Sequence, residues 1–199
     1  MLTLGGANIS LGNLGERYTR LGPLLGREVL WWVLVGVILA FILFVERLRL
    51  SSIGFKRPAW GTLWAIPAGV LLVAGIPFIY FVVFPLLHLR MNTGEMAKLA
   101  ATPFWYRRLL VTRAAVCEEI LFRGYPIPRI EELTGQTWIA AVVSWTAFTA
   151  AHLGSWGWAQ LIVAGYGGVI LTALYLWRRD LTCNILAHFI ADGAGFLLG

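Results

Sequence analysis

The sequence predicts an all-α, polytopic membrane helix bundle of about six transmembrane helices, within a range of about five to eight. Three observations lead there. The chain is 59% hydrophobic and only 13% charged, with mean hydropathy +0.75, whereas a soluble domain carries charge on about a quarter of its residues. Its apolar stretches follow one another with no long polar segment between them, so residues 28–199 read as a single membrane-embedded domain. Tryptophans cluster at the ends of those stretches (Trp31, Trp32, Trp60, Trp138, Trp156, Trp158, Trp177), as interfacial anchors do.

Residues 1–27, rich in Gly and Leu with Arg17, Arg20 and Arg27, lack the charged start, apolar core and cleavage site of a signal peptide; they read as a flexible or interfacial lead-in. The first span is Val29 to Val45, closed by Glu46-Arg47-Leu48-Arg49. The second, Trp60 to Leu87, exceeds the hydrocarbon thickness at about 1.5 Å per residue, so it must tilt or kink, and Pro67, Pro77 and Pro85 are the candidate kinks. Thr93-Gly94-Glu95 could start a short surface helix. The third span, Phe104 to Arg123, also carries Arg107, Arg108 and Arg113; the first two can snorkel to an interface. Gly124-Tyr125-Pro126 stops it.

Three more spans follow, Trp138 to Leu153, Trp158 to Trp177 and Leu181 to Leu198. Tight turns at Gly154-Ser155-Trp156-Gly157 and Arg178-Arg179-Asp180 make these three antiparallel neighbours. Gly165, Gly167, Gly168 and Ala173 leave the fifth helix slim enough for close packing.

The net charge of +6 fits Lys and Arg beside anionic lipid. No aromatic-interleaved basic patch argues for nucleic acid. Lys and Arg divide almost evenly between the two sides, so the positive-inside rule assigns no orientation. Cys117 and Cys183 form no Cys-x-x-Cys pair. Cys117 beside Glu118 invites a nucleophile reading, but a neighbouring carboxylate opposes thiolate formation, and a small buried residue is the simpler account.

The chemistry lies in Glu118-Glu119-Ile120-Leu121-Phe122-Arg123. A charge at the centre of a membrane helix costs about 2.5–3.5 kcal/mol on insertion scales, so three within one stretch need partners or a use. Glu119 and Arg123, four residues apart, share an α-helical face and can pair, leaving Glu118 without a local partner and suited to act as a general base. Of the three histidines, His88 ends the second span as an interfacial residue. His152 and His188 lie in two late spans, with Phe148 four residues before the first and Asp192 four after the second. A salt bridge that only holds helices together explains the hexad but not both histidines.

Glu118-Glu119-x-x-x-Arg123, Phe148-x-x-x-His152 and His188-x-x-x-Asp192, in this order and each in an apolar span, resemble the three motifs of the CPBP family. These are the CAAX proteases and bacteriocin-processing enzymes, also called the Abi family, which are membrane-embedded peptidases. The resemblance covers about residues 104–195. It implies hydrolysis of a peptide bond of a membrane-associated protein or peptide, within or beside the lipid bilayer. Carried over by motif, Glu118 and His152 activate the attacking water, His188 and Asp192 bind the developing oxyanion, and Glu119, Arg123 and Phe148 support the site.

Two mechanisms fit that resemblance. In one, a zinc ion held by His152, His188, Asp192 and Glu118 lowers the pKa of its water. In the other, no metal is used and polar side chains form the oxyanion hole. The His-Glu-x-x-His zinc motif does not occur. Asp192 stands where the family has Asn or Asp; ionised, it suits a metal or orients His188. The competing functions are a non-catalytic scaffold or immunity protein of the same fold, and a small transporter with a proton relay, against which the sequence shows no repeated halves. The expected location is a prokaryotic cytoplasmic membrane, crossed several times.

Overall fold

The computed structural model describes residues 11–90, 93–153 and 157–197. Among them every regular element is helical and none is a strand. Helix α1 spans Leu11–Ala40 and runs on through a π turn, Phe41–Val45. Helix α2, Ala65–Phe78, is entered through a 3-10 turn at Trp60–Trp64 and continues through a π turn, Ile79–Val83, to Leu86. That wide turn sits between Pro77 and Pro85, two of the candidate kink positions, whose missing N–H groups break the ordinary ladder. Helix α3 is Thr93–Ala100, α4 Phe104–Arg113, α5 Pro126–Thr134, α6 Thr137–Ala151, α7 Gln160–Arg178 and α8 Leu181–Phe196.

Six of these rods occupy the six expected spans. Three are both long and apolar enough to cross a membrane: Gly22–Val45, Trp60–Leu86 and Gln160–Arg178. The α6 helix is apolar but shorter, and α4 carries the charged residues that lower its hydropathy. The protein is an integral membrane protein. Its outer surface is apolar in the way lipid requires, with Phe44, Phe81, Leu86 and Phe78 exposed. Trp60, Trp138, Trp158 and Trp177 are exposed at helix ends. The expected lead-in is in large part helical: residues 11–27 are the first turns of α1, and 1–10 lie outside the described residues.

The α7–α8 corner is built as the sequence suggested. Arg179 takes a left-handed φ of 46°, and Asp180 caps α8 by accepting the Cys183 N–H at 3.1 Å. Of the turn between α6 and α7, Gly154, Ser155 and Trp156 lie outside the described residues, and Gly157 has φ 81°. Close packing of α7 rests on fewer glycines than expected. A methyl group on Gly168 would stand 2.9 Å from Trp145, whereas one on Gly165 or Gly167 would meet nothing closer than 3.8 Å. On α2, a methyl on Gly69 would approach Ile190 to 2.7 Å, so this glycine lets α2 and α8 touch.

Ion pairs hold the helix ends. Arg129 of α5 donates to both oxygens of Glu46 at 2.9 and 2.6 Å. Arg179 does the same to Glu131, with one bond of 2.6 Å. Each arginine holds its carboxyl below the usual carboxylate range, chiefly through these hydrogen bonds.

Candidate active site

Beyond Arg113, the α4 helix widens into two consecutive π turns, Ala114–Glu118 and Ile120–Gly124. Wide turns of this kind are frequent at functional sites. Here they and the residue between them carry Glu118, Glu119 and Arg123 into the helix bundle. In a π turn the hydrogen bond closes five residues on, so residue i+5 comes round above residue i. Arg113 thereby reaches Glu118, donating from Nη1 to Oε1 at 2.7 Å. This corrects the expectation that Glu118 lacks a local partner, which assumed α-helical spacing. The same guanidinium donates from Nε to Oε2 of Glu28 at 2.7 Å.

Glu119 and Arg123 form the expected pair, Nη1 to Oε1 at 2.8 Å, with both side chains wholly buried. Glu119 does more than neutralise a neighbour. Its Oε1 also lies 2.8 Å from His188 Nδ1, and its Oε2 accepts from Asn184 at 3.1 Å. Asn184 is fixed by a second bond to the Leu171 carbonyl at 2.7 Å. One carboxylate on α4 thus ties down α8, and through Asn184 reaches α7. Arg123 adds a contact to the Gly168 carbonyl at 3.4 Å.

His188 Nε2 lies 3.5 Å from Asp192 Oδ2, so Asp192 stands beside the histidine as its spacing predicted. Phe148 of α6 packs between the two histidines, with ring centroids 4.6 Å from His152 and 6.2 Å from His188. The Arg123 guanidinium lies 4.0 Å from its ring centroid. His152 ends α6, its Nδ1 2.8 Å from the Phe148 carbonyl. Ser144 closes the layer with a hydrogen bond to the Phe122 carbonyl.

Glu118, Phe148, His152, His188 and Asp192 all line one cavity of about 1510 Å³. Glu119 and Arg123 lie behind that wall, fully buried. Cys117 is also fully buried and packs in the core, which agrees with the simpler account of it. Glu28, Arg113 and Asn184 were missed by sequence reasoning. Asn184 did leave a signal, standing one turn before His188 on the stripe that continues to Asp192.

A zinc site needs three protein ligands at about 2.0–2.2 Å. Among the described residues no group of three His, Cys, Asp or Glu gathers to hold a metal ion. His188 Nδ1 is engaged by Glu119, which leaves Nε2 as the ring nitrogen turned to the cavity. As placed, the described side chains gather no such ligand set, and the chemistry below is derived from side chains alone.

Residues 100–194 match the family model of type II CAAX prenyl endopeptidase Rce1-like proteins. That segment begins at the end of α3 and runs into α8, so it includes every motif residue named above. No curated protein and no solved structure matches the chain.

Proposed function

We propose that this integral membrane protein, whose second half is Rce1-like, is an intramembrane endopeptidase that hydrolyses a peptide bond of a membrane-associated protein or peptide. The family is one of proteases. The observation that carries the reading for this chain is that Glu118, His152, His188 and Asp192 all line one cavity.

The reaction follows from which atoms are already engaged. Glu118 uses Oε1 to accept from Arg113, and no hydrogen bond reaches its Oε2 among the described residues. Oε2 is the atom that takes a proton from the attacking water, and His152, with Nδ1 turned to the Phe148 carbonyl, offers Nε2 to the same water. As the carbonyl carbon becomes tetrahedral, negative charge gathers on its oxygen. His188, protonated on both ring nitrogens, donates Nδ1–H to Glu119 and Nε2–H to that oxyanion. Asp192, beside His188 Nε2, can give a second donor when its carboxyl carries a proton. Glu118 then returns its proton to the leaving amine. The buried Glu119–Arg123–Asn184 group keeps the His188 ring from turning.

The cavity is larger than the roughly 300–1,000 Å³ of ordinary small-molecule pockets and has Leu72, Ile76, Leu110 and Val163 in its walls. It suits an extended peptide with an apolar anchor. Purified protein in liposomes, given quenched-fluorescence peptides with either a farnesylated CAAX terminus or an unprenylated apolar anchor, tests the reading. Cleavage of one of them, lost in both Glu118→Gln and His152→Ala, is expected. Equal turnover by wild type and both variants sinks it, as does a wild type that cleaves neither.

A further inference from the structure

Glu28 is a carboxylate that the proposed reaction does not use, yet it is 1% exposed in an apolar helix. A charge at such depth requires partners, and among the described residues Glu28 has three. Arg113 Nε donates to its Oε2 at 2.7 Å, the Tyr106 hydroxyl to its Oε1 at 3.3 Å, and Arg27 approaches to 3.6 Å. Arg113 is itself 6% exposed and lies 5.2 Å from the centre of the Trp31 ring, also on α1. Its only other hydrogen bond among the described residues is the one to Glu118.

A guanidinium is a planar fork that frequently engages both oxygens of a carboxylate. Arg113 does not do so at Glu118: Nη1 meets Oε1, while Nε is turned to Glu28. Without a carboxylate at position 28, Glu118 is the carboxylate left within reach among the described residues; it outcompetes an amide for the charged fork, which would close on both its oxygens. That would engage the oxygen from which water must be deprotonated.

We propose that Glu28 is a positioning residue of the active site: it holds Arg113 to a single contact with Glu118, leaving the second Glu118 oxygen to the substrate water. The site is therefore completed from α1, outside the segment 100–194 that matches the family. This rests on the peptidase reading above.

The test compares wild type, Glu118→Gln, Glu28→Gln and Glu28→Gln/Arg113→Lys in liposomes with the two peptides already named, with activity expressed per folded molecule. Glu28→Gln is expected to lower kcat by about 10- to 100-fold, the scale of a small misplacement at a reacting group, with KM unchanged. Lysine has no fork, so the double variant is expected to regain part of that loss. A wild-type kcat in Glu28→Gln overturns the proposal, as does a change in KM alone or a double variant no better than the single. If Glu28→Gln does not fold, Glu28→Gln/Arg113→Gln removes both charges and the fork with them: a kcat within about 10-fold of wild type supports the proposal, and a larger loss overturns it. A wild type no better than Glu118→Gln counts against the peptidase itself. An active wild type, an inactive Glu118→Gln and an unaffected Glu28→Gln count against the positioning role alone.

Discussion

Glu119 holds His188, Oε1 to Nδ1 at 2.8 Å, across 69 residues of sequence and between two helices. The bond fixes both the tilt of the imidazole and the ring nitrogen that faces the cavity. The same oxygen accepts from Arg123, so a pair that seems to serve stability also aims the histidine.

Breaking that pair from one side should be severe. Glu119→Ala leaves Arg123 buried and unpaired, and strands Asn184 and His188 as well. A loss of about 3–5 kcal/mol is expected, read as a lower unfolding midpoint in detergent. Glu119→Gln/Arg123→Met, which removes both charges, should recover most of the stability but not the activity, because no carboxylate then holds His188.

Asp192 is the member whose chemistry is least settled by its type. If it donates to the oxyanion, an amide at this position does the same without needing a proton. Asp192→Asn should keep activity within about threefold of wild type, while Asp192→Ala should lose about 10²–10³ in kcat, the scale of one missing oxyanion donor. Comparable losses in the two variants would remove Asp192 from the donor role.

Chelation should leave turnover unchanged. The prediction follows from the placement of the donors, of which no three gather as ligands among the described residues. Protein dialysed against a strong chelator and shown by elemental analysis to be metal-free is expected to cleave as before. Inactivation that zinc alone reverses would show that the ligands move together on binding.

Acid should loosen the helix ends. Glu46 and Glu131 have their pKa lowered by Arg129 and Arg179. A depressed folded value means that the stabilisation is fully present above the ordinary carboxylate pKa, about 4.5, and is lost as pH falls through the lower folded value. The unfolding midpoint of wild type should therefore drop more steeply below about pH 4.5 than that of Glu46→Gln/Glu131→Gln. Parallel curves would show that these pairs add no stability.

What the sequence revealed follows the geometry of the ordinary α-helix. Glu119 with Arg123, Phe148 with His152 and His188 with Asp192 are each four residues apart and meet as that spacing requires. Arg113 and Glu118 are five apart, and α-helical spacing points them in different directions; only the π turn brings them together. The bonds of Glu119 to Asn184 and of Glu28 to Arg113 join residues 65 and 85 apart. Such contacts depend on how the rods are arranged, which hydropathy does not encode. The first two spans were legible as lipid-crossing segments, but not as contributors to a site. Glu28, a carboxylate at the head of an apolar run, was the one sign that α1 does more than anchor.

The π turn from Ala114 to Glu118 gives this segment a tolerance that no single substitution would expose. A π turn is an α-helix with one residue to spare. Deleting Ala114, Ala115 or Val116 would allow an ordinary helix with the same hydropathy and nearly the same composition. Because the wide turn absorbs the extra residue, its loss would leave the two flanks facing as they do now. Arg113 and Glu118 would come to the four-residue spacing at which an α-helix also pairs its side chains. At this segment the number of residues can change where their order cannot.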